Sequence, residues 1–216
     1  MSRPLNIAKE VAFWRLQIEE HMLFIYQGLV DDLSILKLKE QAVALHQLWH
    51  DVDGDVMPLI DETLKFQNLI LNKITYGPWI GWLSMSFVNH LIKETEYFKK
   101  KLLGEMTHQD EVKFWLWHHH SESAAAEKLL DPTEQELSLL LKDYMDYIKV
   151  LETDLLKSKK RNGKISPETR DVLEEYLDNN TALEKGILNY TIYSNISPIL
   201  INHVIREGYY AIELFK

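Results

Sequence analysis

The chain has no cysteine among its 216 residues. Disulfides, thiolate zinc sites and thiol nucleophiles are therefore excluded, and any bound metal must be held by His, Asp or Glu. Turn-forming residues are scarce as well, with eight Gly and six Pro, which argues against a turn-rich β architecture. No uncharged apolar run is long enough to cross a bilayer, and the N-terminus lacks the basic-then-apolar layout of a signal peptide. The expectation is a soluble, cytoplasmic protein. Positive charge is the last shortage: 24 Lys and Arg face 33 Asp and Glu, for a formal charge of −9. A field of that sign repels phosphate backbones and anionic lipid, so neither nucleic acid nor membrane is an expected partner. The basic run from Lys157 to Lys164 reads as a solvated helix end and turn. No Gly-rich phosphate loop or nucleophile elbow is present, which leaves nucleotide chemistry and triad hydrolysis without support.

What the chain does have is apolar content, 46%, arranged with helical periodicity and written twice. Phe13-Trp14 returns as Phe114-Trp115 at an offset of 101, and Asn89-His90-Leu-Ile-Lys93-Glu94 returns as Asn202-His203-Val-Ile-Arg206-Glu207 at an offset of 113. Such a repeat predicts an all-α protein of two tandem up-down four-helix bundles related by internal duplication, over 1–105 and 106–216. In the first half, helices are expected over about 6–29, 34–51, 56–74 and 84–103. Ser34 is the expected N-cap of the second, Pro58 sits in the first turn of the third, and the connector 79–82 packs across one end of the bundle. In the second half they are expected over about 109–130, 133–158, 168–188 and 198–214, with a Thr133–Glu136 capping box and a Ser166 cap.

Helical residues four apart share one face, so His90 with Glu94, and His203 with Glu207, can each point at one centre. The opening helices add partners. His118 and Glu122 form a third pair at that spacing, and the matching positions in the first half are Gln17 and His21. The second half can thus assemble His118, Glu122, His203 and Glu207, able to hold one or two iron, manganese or zinc ions. The first half can assemble His21, His90 and Glu94, a two-His, one-carboxylate set of the kind that binds non-haem iron. Glu62 or Glu184 of the third helices, or Glu20, are further candidates as ligands or as their hydrogen-bond partners. The competing reading makes His21 a hydrogen-bonded core residue, the His118-His119-His120 run partly a surface feature, and His46, His50 and His108 surface or packing residues. Tyr26, Tyr97, Tyr209 and Tyr210 read as packing, or as hydrogen-bond partners of ligands, and the six Trp as core or as covers of the bundle ends.

Phe13-Trp14 through His21, the run Leu130-Asp131-Pro132-Thr133-Glu134, and the run from Ile201 through Tyr210 together resemble the domain of unknown function 2935 family of spore-forming Gram-positive bacteria. The resemblance covers nearly the whole chain. It implies two ferritin-like bundles in tandem with iron as the expected metal, and it places a first-helix His at His21, where the second half has Glu122.

Two functions follow as expectations. One is a metal-binding, ferritin-like protein, with redox or oxygen-related chemistry at a His/Glu-bound iron, or alternatively manganese or zinc. The other is a non-catalytic helical interaction module in which metal or ion pairs serve structure only. A His-metal bundle of the DinB-like thiol-transferase type needs a His triad on separate helices and is disfavoured by the Glu-containing pairs. Beyond a metal ion, the sequence leaves open association into a homo-oligomer.

Overall fold

A computed structural model of the protein describes residues 6–157 and 167–214. Eight helices are described: α1 (Ile7–Gly28), α2 (Leu36–Asp51), α3 (Met57–Tyr76), α4 (Met85–Leu102), α5 (His108–Leu129), α6 (Gln135–Lys157), α7 (Pro167–Leu188) and α8 (Pro198–Leu214). The chain is all-α and divides into two compact units, Met1–Met106 and Thr107–Lys216. The basic run beyond Lys157 and the expected Ser166 cap lie outside the described residues.

Polar residues start several helices by satisfying the first free N–H groups. The Asn6 side chain accepts from Lys9 N at 3.1 Å and Ser84 Oγ from Phe87 N at 3.1 Å. Thr107 and Asp110 form a reciprocal capping box at the head of α5. Two expected caps are displaced. The Ser34 hydroxyl and N–H both donate to Asp32 (2.5 and 2.7 Å), and Thr133 does the same to Asp131 (2.6 and 2.9 Å). A local Asp turn captures each hydroxyl before it can cap a helix, so α2 begins at Leu36 and α6 at Gln135. These bonds hold the Asp32 and Asp131 carboxyls below the usual range.

In the first unit α1 packs on α2 and α4, α3 on both α2 and α4, closing a ring of four helices. A short backbone bridge fixes their alternating direction. Leu29 after α1 pairs antiparallel with Gly81 before α4, flanked by Val30 N to Ile80 O at 3.1 Å and Trp82 N to Gly28 O at 2.8 Å. The ends of α1 and α3 therefore lie together, as an up-down bundle requires. The second unit repeats the device: Leu130 pairs with Ser194, flanked by Asp131 N to Tyr193 O at 2.9 Å and Asn195 N to Leu129 O at 2.7 Å.

The cores correspond in the same way. Trp14 lies 5.5 Å from Tyr97, and Trp115 lies 5.3 Å from Tyr210, ring centre to ring centre. At an offset of 99, the buried Ala42, Leu45 and Trp49 of α2 match the buried Leu141, Tyr144 and Ile148 of α6. Each fully buried apolar side chain of this kind, Ile60, Phe66 and Phe98 among them, contributes roughly 1.5–3 kcal/mol. The connector 79–82 departs from expectation. Ile80 and Gly81 are buried, but Trp79 and Trp82 are 64% and 83% exposed and pack edge-to-face on each other at 5.3 Å. The bridge keeps Ile80 and Gly81 inside and leaves the residues on either side of them outside.

Gly81 adopts φ +152°, and a Cβ built on it would meet Gly28 O at 2.0 Å and Leu29 Cα at 2.9 Å. Both obstacles are backbone and neither can yield without breaking the bridge. Gly81→Ala is expected to lower stability by about 2 kcal/mol or more, measured as a shift of the urea midpoint. An unchanged midpoint would show that the bridge contributes nothing.

Candidate metal centre

The last helix of each unit presents one carboxylate that solvent does not reach. In the first unit it is Glu94, held on α4. His90, one turn earlier, places Nε2 at 2.5 Å from Glu94 Oε1, and His21 of α1 places Nε2 at 2.7 Å from Glu94 Oε2. Each carboxylate oxygen thus faces one imidazole. His21 and Glu94 are fully buried, and the His90 side chain is 13% exposed. His21 and His90 thus both meet Glu94, each at a different oxygen.

The second unit builds a larger cluster around Glu207. His203 Nε2 lies 3.3 Å from Glu207 Oε1, and His118 Nε2 of α5 lies 3.4 Å from Glu207 Oε2. The other nitrogen of His118, Nδ1, lies 3.1 Å from Glu122 Oε2. Burial alone would lower the His118 pKa, but the carboxylates of Glu122 and Glu207 on either side raise it well above its ordinary value. All four expected residues of this half meet as well.

Two members of this cluster were not expected from sequence. His119 Nδ1 hydrogen-bonds to Glu122 Oε2 at 3.0 Å, and the fully buried Tyr176 of α7 donates its hydroxyl to the same oxygen at 2.8 Å. Burial lowers the His119 pKa, whereas burial and the adjacent Glu122 carboxylate push Tyr176 well up, keeping its phenol protonated. Tyr176 stacks on Tyr144 of α6 at 5.0 Å and lies 4.5 Å from the His119 ring. The spacing of His119 and Glu122, three residues apart on one helix face, is the available sequence signal for the first. Tyr176 had none, because only the fold brings α7 against α5.

The other candidates do not join. Glu62 is exposed and Glu20 half-buried, while Glu184 accepts from Asn202 Nδ2 at 3.2 Å. The third helices instead contribute Thr63, bonded to Trp49 Nε1 at 2.8 Å, and Tyr176 at the matching position. His120 is half-buried, its pKa lowered by burial and by Lys149. Tyr26 and Tyr209 are exposed, and Tyr97 and Tyr210 serve the core.

In the second unit the donor set suits a metal. Glu122 Oε2 is committed to several donors, yet Glu122 Oε1 and His119 Nε2, both buried, have no hydrogen-bond partner among the described residues. Native interiors rarely leave such atoms unsatisfied. His118, His119 and Glu122 each bring a donor atom within 4.8 Å of the other two. A histidine whose Nδ1 is bonded to a carboxylate while its Nε2 points elsewhere is the usual arrangement of a metal-ligating imidazole. Nitrogen and carboxylate donors of this kind fit iron, manganese or zinc.

No protein-family model matches the chain. An uncharacterized protein of Acanthamoeba polyphaga mimivirus is 30% identical over 173 residues, covering 65% of this chain and 53% of that protein. The chain thus spans about half the length of that relative. The crystal structure of an uncharacterized protein from Bacillus cereus matches with a TM-score of 0.76 over 95% of this chain and 88% of that one, at 16% identity. That likeness shows a shared fold.

Tyr176→Phe removes one donor from Glu122 while preserving the ring stack. The expected cost is about 1–3 kcal/mol in metal-free protein, read by urea denaturation. A midpoint equal to the wild type would mean that the hydroxyl does not hold Glu122.

Proposed function

We propose that the chain is a metal-binding protein of ferritin-like architecture, akin to the domain of unknown function 2935 family, with iron as the ligand of the second unit's buried centre and manganese or zinc as alternatives. The observation that carries this reading is the convergence of His118, His119, Glu122, His203 and Glu207 in one buried cluster, in which Glu122 Oε1 and His119 Nε2 have no hydrogen-bond partner among the described residues. Several ionisable groups in a low-dielectric core are costly unless paired or metallated. His118, His119, Glu122, His203 and Glu207 would hold one or two ions, Glu122 and Glu207 facing opposite nitrogens of the His118 ring. Bound iron would supply redox or oxygen-related chemistry. The chain's own contribution is positional: Tyr176 fixes Glu122, Glu122 orients His118 and His119, and Glu207 gathers His118 and His203.

A second reading, a helical module in which the buried groups serve structure only, is favoured by the first unit. There both oxygens of Glu94 face imidazoles at 2.5 and 2.7 Å, which pairs the carboxylate with protein groups alone.

Elemental analysis and thermal melting separate the two. The metal-binding reading expects iron, manganese or zinc to bind, with stability rising by about 2.7 kcal/mol at a metal concentration one hundred times the dissociation constant, and His203→Ala to lose that gain. If no metal binds and melting of the wild type and of His203→Ala is indifferent to metal, the structural reading stands.

A further inference from the structure

A second meeting of imidazoles and a carboxylate lies on the outside of the first unit, apart from the buried triad. His46 and His50 stand four residues apart on α2, so their rings leave one face of the helix a turn apart. Both turn to a single oxygen on the neighbouring helix α1. His50 Nδ1 lies 3.1 Å and His46 Nε2 3.6 Å from Glu19 Oε1. The Glu19 side chain is 13% exposed, against 36% for His46 and 62% for His50. The carboxylate is therefore seated between the helices, and the rings cover it from the solvent side. Among the described residues, Glu19 pairs with these two histidines and with no lysine or arginine.

One histidine against one carboxylate is an ordinary surface contact of little energetic weight. Two imidazoles on one carboxylate oxygen are different, because two neutral rings offer two nitrogen lone pairs as well as two N–H groups, and a divalent ion uses the lone pairs directly. Zinc bound tetrahedrally by nitrogen and oxygen at 2.0–2.1 Å sets neighbouring ligand atoms roughly 3.3 Å apart. The two observed nitrogen–oxygen separations bracket that value. The remaining edge, nitrogen to nitrogen, has to close by rotation of the two imidazole side chains, neither of which is buried.

We propose that Glu19, His46 and His50 form a solvent-reachable zinc site, with three protein ligands and a fourth position open to water. The site ties α1 to α2 from outside the core and is independent of the buried centre. It is also peculiar to the first unit. The repeat offsets of 101 and 99 put His120, Met145 and Lys149 at the matching positions, and a lysine ammonium there repels a cation instead of ligating it.

The test is a zinc titration of the full-length, chelator-stripped protein in competition with a chromophoric chelator, with cobalt absorption as a report on coordination. The wild type is expected to bind one more equivalent than the His46→Ala, His50→Ala double variant. That variant should fold normally, because neither ring belongs to the buried core. Glu19→Gln should weaken the same equivalent by more than about tenfold, and His203→Ala, in the buried centre, should leave it in place. Equal zinc stoichiometry and affinity in the wild type and the double variant would overturn the proposal, as would a wild type that binds no zinc.

Discussion

A carboxylate buried in the middle of a helical bundle is the constraint on which the rest of this molecule depends. Glu94 and Glu207 have no exposed surface, and an ionised carboxylate taken out of water costs several kcal/mol unless partners replace the lost hydration. Each unit supplies those partners in the same manner. The last helix brings an imidazole from one turn earlier, His90 or His203, and the first helix brings another from across the bundle. The cross-bundle imidazole does not come from the same place in the two units. It is His21 in the first and His118 in the second, and His118 matches Gln17, one turn before His21. That one-turn shift frees the position of His21 to become Glu122, which recruits His119 and Tyr176 and enlarges the cluster.

The scaffold tolerates this divergence because its alignment is fixed elsewhere. The bridges Leu29–Gly81 and Leu130–Ser194 use backbone groups only, and they hold the ends of the first and third helices together whatever side chains line the interior. Trp14 with Tyr97 and Trp115 with Tyr210 fill corresponding places in the two cores. Side chains between the bridge and these aromatic pairs can then exchange roles, as Thr63 and Tyr176 have done on the third helices.

The parts of this arrangement that depend on periodicity were legible in the sequence. Eight helices could be read from apolar spacing and punctuation, and the His-x-x-x-Glu repeats mark the residues that meet Glu94 and Glu207. The parts that depend on competition between nearby groups were not. Ser34 and Thr133 look like helix caps, but an aspartate two residues earlier in each case offers a closer acceptor. Trp79 and Trp82 look like covers of a bundle end, but the bridge through Gly81 leaves them in solvent. His46 and His50 look like ordinary surface residues until α1 supplies Glu19 beneath them. Tyr176 is the extreme case, since its role arises entirely from how α7 lies against α5.

We propose that the buried histidines and carboxylates of the second unit act as ligands first and ion pairs second. Anomalous diffraction from crystals grown with iron tests it most directly. The expected result is a peak within about 2.0–2.3 Å of nitrogen or oxygen atoms drawn from His118, His119, Glu122, His203 and Glu207. A core without a peak, with Glu207 still paired to His118 and His203, would contradict it.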